Sequence, residues 1–233
     1  MNKCQVKSSL KKILALSFLG YAAVVSAGTY SELPIENVQV NLYTQVSEDN
    51  PLMKIWGDGQ NALHPSSEFP PEHQYSYALL KWDLNKLKNS GIILSEITIA
   101  SAKIKCTTAG IAKAIQGKIP PLEAYLASSS DFDLDSILSE EKTVSDLPKP
   151  TNAKLGESQS WITDISKGTT IEVILDSASI QKYLRSQVLE SNIFLPIYLT
   201  SSIKCEQFKR NHFTIYSKEC NDESISPQLI IEY

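Results

Sequence analysis

Apolar and polar positions alternate along most of this chain in short runs bounded by Pro, Gly, Ser and Asn, the pattern of half-buried β-strands. It predicts strands near Val38–Thr44, Tyr77–Asp83, Ile97–Thr107, Leu122–Ala127, Ile171–Asp176, Ile193–Ile203, Phe213–Ser217 and Gln228–Tyr233. Two stretches without such alternation, Glu48–His73 and Val144–Ser160, read as long loops. A single helix interrupts the pattern: Ile180, Leu184 and Val188 recur every four residues, and Asp176 or Ser177 is placed to cap its start. Such a helix would lie across one end of a sandwich.

Strand alternation also assigns faces. Ala78, Leu80, Trp82 and Leu84 should point one way, and Tyr77, Leu79, Lys81 and Asp83 the other, making Trp82 a core residue. In the third strand Ala100, Ala102, Ile104 and Cys106 share the inward face, opposite Ser101, Lys103 and Lys105. The Cys106 thiol is thereby expected to be buried and unpaired.

The N-terminus departs from this pattern. Lys3, Lys7, Lys11 and Lys12 precede an apolar stretch from Ile13 to Val25 that ends in Val25-Ser26-Ala27, the arrangement of a signal peptide cleaved after Ala27. The stretch is shorter than the roughly 20 apolar residues of a membrane-spanning helix, and no Cys follows it for acylation. The expected mature chain is one exported domain, 28–233, with no transmembrane segment. Losing the four lysines moves the formal net charge from −4 to −8 (18 basic against 26 acidic residues). That balance argues against nucleic acid and anionic membranes as partners. Cys106, Cys205 and Cys220 remain in an oxidising setting, where one disulfide and one leftover thiol are expected, with Cys205–Cys220 the preferred pair.

Beyond alternation, the order of motifs carries a resemblance. Tyr77-Ala-Leu-Leu-Lys-Trp-Asp-Leu84, Ile99-Ala-Ser-Ala-Lys-Ile-Lys105, Ile174-Leu-Asp176 leading into the 179–185 helix, Ile215-Tyr-Ser-Lys-Glu219 and Ser226-Pro-Gln-Leu-Ile-Ile-Glu-Tyr233 follow one another as in DNRLRE-type domains, also called carbohydrate-binding module family 96. The sequence departs from that pattern at Trp82, where Phe is usual, and at Lys81 and Lys218, where Arg is usual. The resemblance implies an all-β, jelly-roll-like antiparallel β-sandwich with one or two short helices. It also implies a secreted, non-catalytic binder of polysaccharide, including acidic ones, or alternatively a structural or adhesive module whose partner is another extracellular protein.

Catalytic chemistry finds little support in the residues. Only His64, His73 and His212 are available, and there is no nucleophile elbow, phosphate loop or zinc-binding His pair. The Tyr-x-Lys-x-Tyr segment common in jelly-roll lyases is incomplete, because Tyr216-Ser-Lys218 continues as Glu219-Cys220. Asp131, Asp133 and Asp135 alternate as calcium ligands can when a tight turn gathers them, but Ser136 and Lys142 replace the Gly and Glu of an EF-hand loop, and a solvated loop capping a short helix around Leu134–Glu140 is the simpler reading. Jelly-roll modules often hold a structural calcium ion, for which Glu36 or Asp58 would be available; the ligand set stays open. No other cofactor is expected. For a sugar, the candidates are Trp56 in an irregular loop and Tyr77, with Lys81, Lys103 and Lys105 as an outward basic strip for acidic glycans. The simpler alternative for that strip is a solvated sheet face.

Overall fold

The structure, a computed structural model, describes residues 27–41, 44–47, 51–56, 76–110, 117–130, 147–202 and 212–233. The apolar leader, Asp58, His64, His73, Asp131, Asp133, Asp135 and Cys205 lie outside the described residues. The strands are β1 (Thr29–Glu32), β2 (Glu36–Asn41), β3 (Thr44–Ser47), β4 (Leu52–Ile55), β5 (Ser76–Asp83), β6 (Ser101–Thr107), β7 (Leu122–Ala127), β8 (Pro150–Glu157), β9 (Thr170–Leu175), β10 (Phe194–Ser201), β11 (Phe213–Tyr216) and β12 (Gln228–Glu232). Helix α1 spans Asn85–Asn89 and α2 spans Ser177–Ser186.

All pairings are antiparallel. They form a curled ten-stranded sheet in the order β1-β12-β6-β9-β8-β7-β10-β5-β2-β3, with β11 and β4 as a separate two-stranded sheet. Isolated bridges join the small sheet to the large one on both sides: Trp56 pairs with Ser76 at the start of β5, and Ile215 of β11 with Thr108 just past β6. The small sheet thus spans the gap between β5 and β6, and the curl closes around one core.

That core takes the inward face of each strand, including Ala78, Leu80 and Trp82 of β5, Ala102, Ile104 and Cys106 of β6, and Phe213 and Ile215 of β11. The predicted inward faces of β5 and β6 are therefore observed except at Ala100, which precedes β6 and is exposed. The free Cys106 thiol is fully buried, and burial pushes its pKa up to about 12.

A second apolar cluster was not expected. Val38, Val40, Tyr77, Leu79, Tyr125, Ala127, Leu147 and Tyr198 pack on the opposite face of β2, β5, β10 and β7. Strand β5 is consequently buried on both faces. The expectation that Tyr77, Leu79 and Lys81 face outward into solvent is corrected.

Two predicted loops contain strands, β4 within 48–73 and β8 within 144–160. Strand β8 reads Pro-Thr-Asn-Ala-Lys-Leu-Gly-Glu, with almost no β-branched or aromatic residue to signal it. Its strand character comes from its neighbours, since it pairs with β7 through two register shifts and with β9 only at Gly156 and Glu157. Conversely, Ile97–Ala100 is irregular rather than the start of β6. Its backbone is held by α2: the Ile99 N–H donates to Gln181 Oε1 (3.0 Å) and Arg185 Nη2 donates to the Ile97 carbonyl (3.0 Å).

Helix α2 buries Ile180 and Leu184 as predicted and is capped by Asp176, whose carboxylate accepts from the Ser179 N–H at 2.9 Å. Val188 lies beyond its end and is 38% exposed, so it adds nothing to the buried stripe. Among the described residues no helix is long and apolar enough to cross a membrane.

Candidate functional site

The predicted basic strip does not assemble. In the large sheet β5 and β6 are separated by β10, β7, β8 and β9, which puts Lys81 far along the sheet from Lys103 and Lys105. Lys81 is also buried, at 5% exposure. Its Nζ lies 3.1 Å from Glu36 Oε1 and 4.7 Å from the centroid of the Phe194 ring. A hydrocarbon stem and a charge can both be stabilised there, the first by packing and the second by the carboxylate and the ring face. Lys81 is therefore not part of an exposed strip. Tyr77 is likewise buried, with its ring edge-on to Tyr198 at 5.4 Å, and offers no platform to a ligand.

Lys103 and Lys105 do sit on the outward face of β6, both half-buried, as the alternation predicted. Lys103 pairs with Glu172 of β9 at 2.7 Å. Lys105 lies across from Gln228 on one side and Glu172 on the other. Neighbouring strands carry more acid on this face. The Ser101 hydroxyl donates to Glu232 at 2.8 Å, and Lys154 is shared between Glu157 (2.5 Å) and Glu123 (3.6 Å). Lys103 is thus matched by a carboxylate, and Lys105 has Gln228 and Glu172 as its cross-strand neighbours.

Trp56 behaves differently from the buried Trp82. Its backbone exchanges both hydrogen bonds with Ser76 (3.0 and 2.9 Å), which fixes the chain just past β4, and its side chain is only half-buried. The His212 ring lies 5.7 Å away at 56°. Phe213 is paired with Ile55 in the β11–β4 ladder, so His212 and Trp56 are the next residues along the two strands. The two rings form a tilted, half-exposed aromatic pair at the end of the small sheet. Nothing in the sequence links two residues so distant; only the β4–β11 register does. Trp161, by contrast, packs edge-on against Phe213 at 5.9 Å and belongs to the core margin.

Glu36 is committed to Lys81, and the neighbouring polar groups also serve the fold. The Asn37 side chain accepts from the Lys218 N–H (2.8 Å) and donates to Glu219 Oε1 (3.2 Å), fastening the turn at Lys218–Cys220 onto β2. Among the described residues no group of three His, Cys, Asp or Glu converges as a metal site would require. Cys220 is a free thiol, 3.2 Å from Ser226 Oγ, so the expected Cys205–Cys220 disulfide is not formed in this structure.

Compared with known proteins, the chain matches no family model, and no curated protein matches it.

Proposed function

We propose that this is an exported, non-catalytic carbohydrate-binding module of jelly-roll type, with the Trp56–His212 pair as its sugar-contacting surface. The observation that carries the reading is a tryptophan held half-exposed on a fixed backbone beside a second ring. An indole face matches the apolar C–H surface of a sugar ring, while imidazole nitrogens suit its hydroxyls. The ordered motifs shared with DNRLRE-type domains support the same ligand class and the jelly-roll assignment. The charge arrangement favours an uncharged glycan over an acidic one, because Lys81 is buried and Lys103 is matched by Glu172.

Affinity electrophoresis through gels of neutral and acidic polysaccharides tests this reading. Retention by a neutral polysaccharide is expected, with Trp56→Ala weakening it tenfold or more, about 1.4 kcal/mol, and Lys105→Ala leaving it unchanged. No retention on a broad panel sinks the proposal. Retention only on acidic gels, lost with Lys105→Ala, would move the site to β6.

A second reading, an adhesive module for another protein, draws on Ile174, which is 55% exposed on β9 between charged residues of the outward face. Pull-down of a protein partner that survives glycosidase treatment, and is lost with Ile174→Asp, would favour it.

A further inference from the structure

Among the described residues the ten-stranded sheet ends on two unpaired edges that differ in kind. At one end, the β3 ladder to β2 shifts register between Gln39 and Asn41, an irregularity of the sort that blunts an edge. At the other, β1 runs in unbroken register along β12, from Thr29 opposite Glu232 to Glu32 opposite Leu229.

The hydrogen-bond phase of β1 follows from its neighbours. Gly28 and Tyr233 exchange both backbone hydrogen bonds, at 2.6 and 3.0 Å. By antiparallel alternation the N–H and C=O of Tyr30 and Glu32 also face β12, and those of Thr29 and Ser31 face away from the sheet. Both of these residues are exposed. Their outward backbone groups have no partner among the described residues.

The edge is also held firmly. Tyr30 is buried and its hydroxyl donates to the Asp83 carbonyl at 2.7 Å, while Glu32 pairs with Lys86 at 2.6 Å. Open edges are usually guarded by lysine, proline or a bulge at the exposed positions. Here the two open positions carry small hydroxyl side chains.

We propose that β1 is the docking edge for a second copy of this chain, the two β1 strands pairing antiparallel about a two-fold axis at Tyr30. This edge is complementary to itself. The axis sets Thr29 opposite Ser31 of the second copy, so the residues with open groups meet in hydrogen-bonded pairs, each donating and accepting once. Thr opposite Ser is a favourable cross-strand pair. Glu32 falls opposite Gly28 of the second copy, which keeps the two Glu32 carboxylates apart. The arrangement is isologous and closes on itself, uniting the two sheets and covering the open edge.

Sedimentation velocity on the purified protein tests this. The wild type is expected to sediment as a dimer that dissociates on dilution. Thr29→Glu combined with Ser31→Glu sets like charges opposite each other and should abolish the dimer; Thr29→Lys combined with Ser31→Glu sets opposite charges together and should keep it. Circular dichroism monitors folding. Should the double-Glu chain fail to fold, Ser31→Pro removes only an N–H that faces away from β12 and should give the same loss of dimer. A wild type that is monomeric at every concentration, or a dimer indifferent to these changes, overturns the proposal.

Discussion

Lys81 shows how far a residue's role can depart from its place in an alternating pattern. Alternation put it opposite Leu80 and Trp82, and there it is, but the sheet face it occupies is covered by a second apolar cluster. Its Nζ lies against Glu36 and the Phe194 ring, while Glu36 Oε2 is buried without a partner among the described residues. Removing one member of a buried pair costs about 3–5 kcal/mol, and replacing the charge with a packed apolar chain can be near neutral. Because the Glu36 side chain is 26% exposed, we expect a smaller effect, about 2 kcal/mol for Glu36→Ala, with Lys81→Met within about 1 kcal/mol of wild type. Urea unfolding of the two variants checks this. Equal losses would mean that the pair itself stabilises the fold. At this scale Cys106 and Trp82 were legible in the sequence, because each lies in a strand with one clearly apolar face. Lys81 and Tyr77 were not, because nothing local announces what covers the other face.

Among the elements, β8 owes most to its surroundings. At Gly156 an added Cβ would lie 2.0 Å from the Ile174 carbonyl oxygen and 2.8 Å from the Leu175 Cα, both backbone atoms that cannot swing aside. This close approach lets β8 reach β9 across their short ladder at Gly156 and Glu157. Gly156→Ala is expected to cost about 3 kcal/mol, at the upper end of overpacking losses, and to raise hydrogen exchange at the β8–β9 seam. Exchange unchanged at that seam would show that the neighbouring backbone gives way. Helix α2 is the opposite case. Its cap and its Ile180–Leu184 stripe stand in the local sequence, and only its end was misplaced: Val188 continues the spacing, but the helix stops at Ser186.

Over the whole molecule, the same burial that builds the two clusters also sets how stability varies with pH. Burial raises the pKa of Cys106 to about 12, and it is the leading cause of the upward shifts of Tyr30, Tyr125 and Tyr198. For each, the folded chain holds the proton more tightly than the unfolded chain. The stability they contribute is full below the unfolded pKa and falls as pH rises past it. The urea midpoint should therefore decline steadily once pH exceeds about 8.5, the ordinary cysteine value, and more steeply past about 10, where unfolded tyrosines ionise. Cys106→Ala should remove the earlier part of that decline. A midpoint flat across this range would contradict the burial of these groups.

By itself the sequence determined the all-β class, the inward faces of β5 and β6, the buried lone thiol of Cys106 and the capped start of α2. These follow from periodicity and capping, which act over a few residues and so are written locally. Tertiary structure alone decided the order of the strands, the double burial of β5, the strand state of β8 and the scattering of the lysine strip. It also decided the meeting of Trp56 with His212 and the open edge of β1. Each of these depends on pairing between segments far apart in the chain, whose register is fixed by the shape of the shared core and leaves no trace in the run of residues on either side.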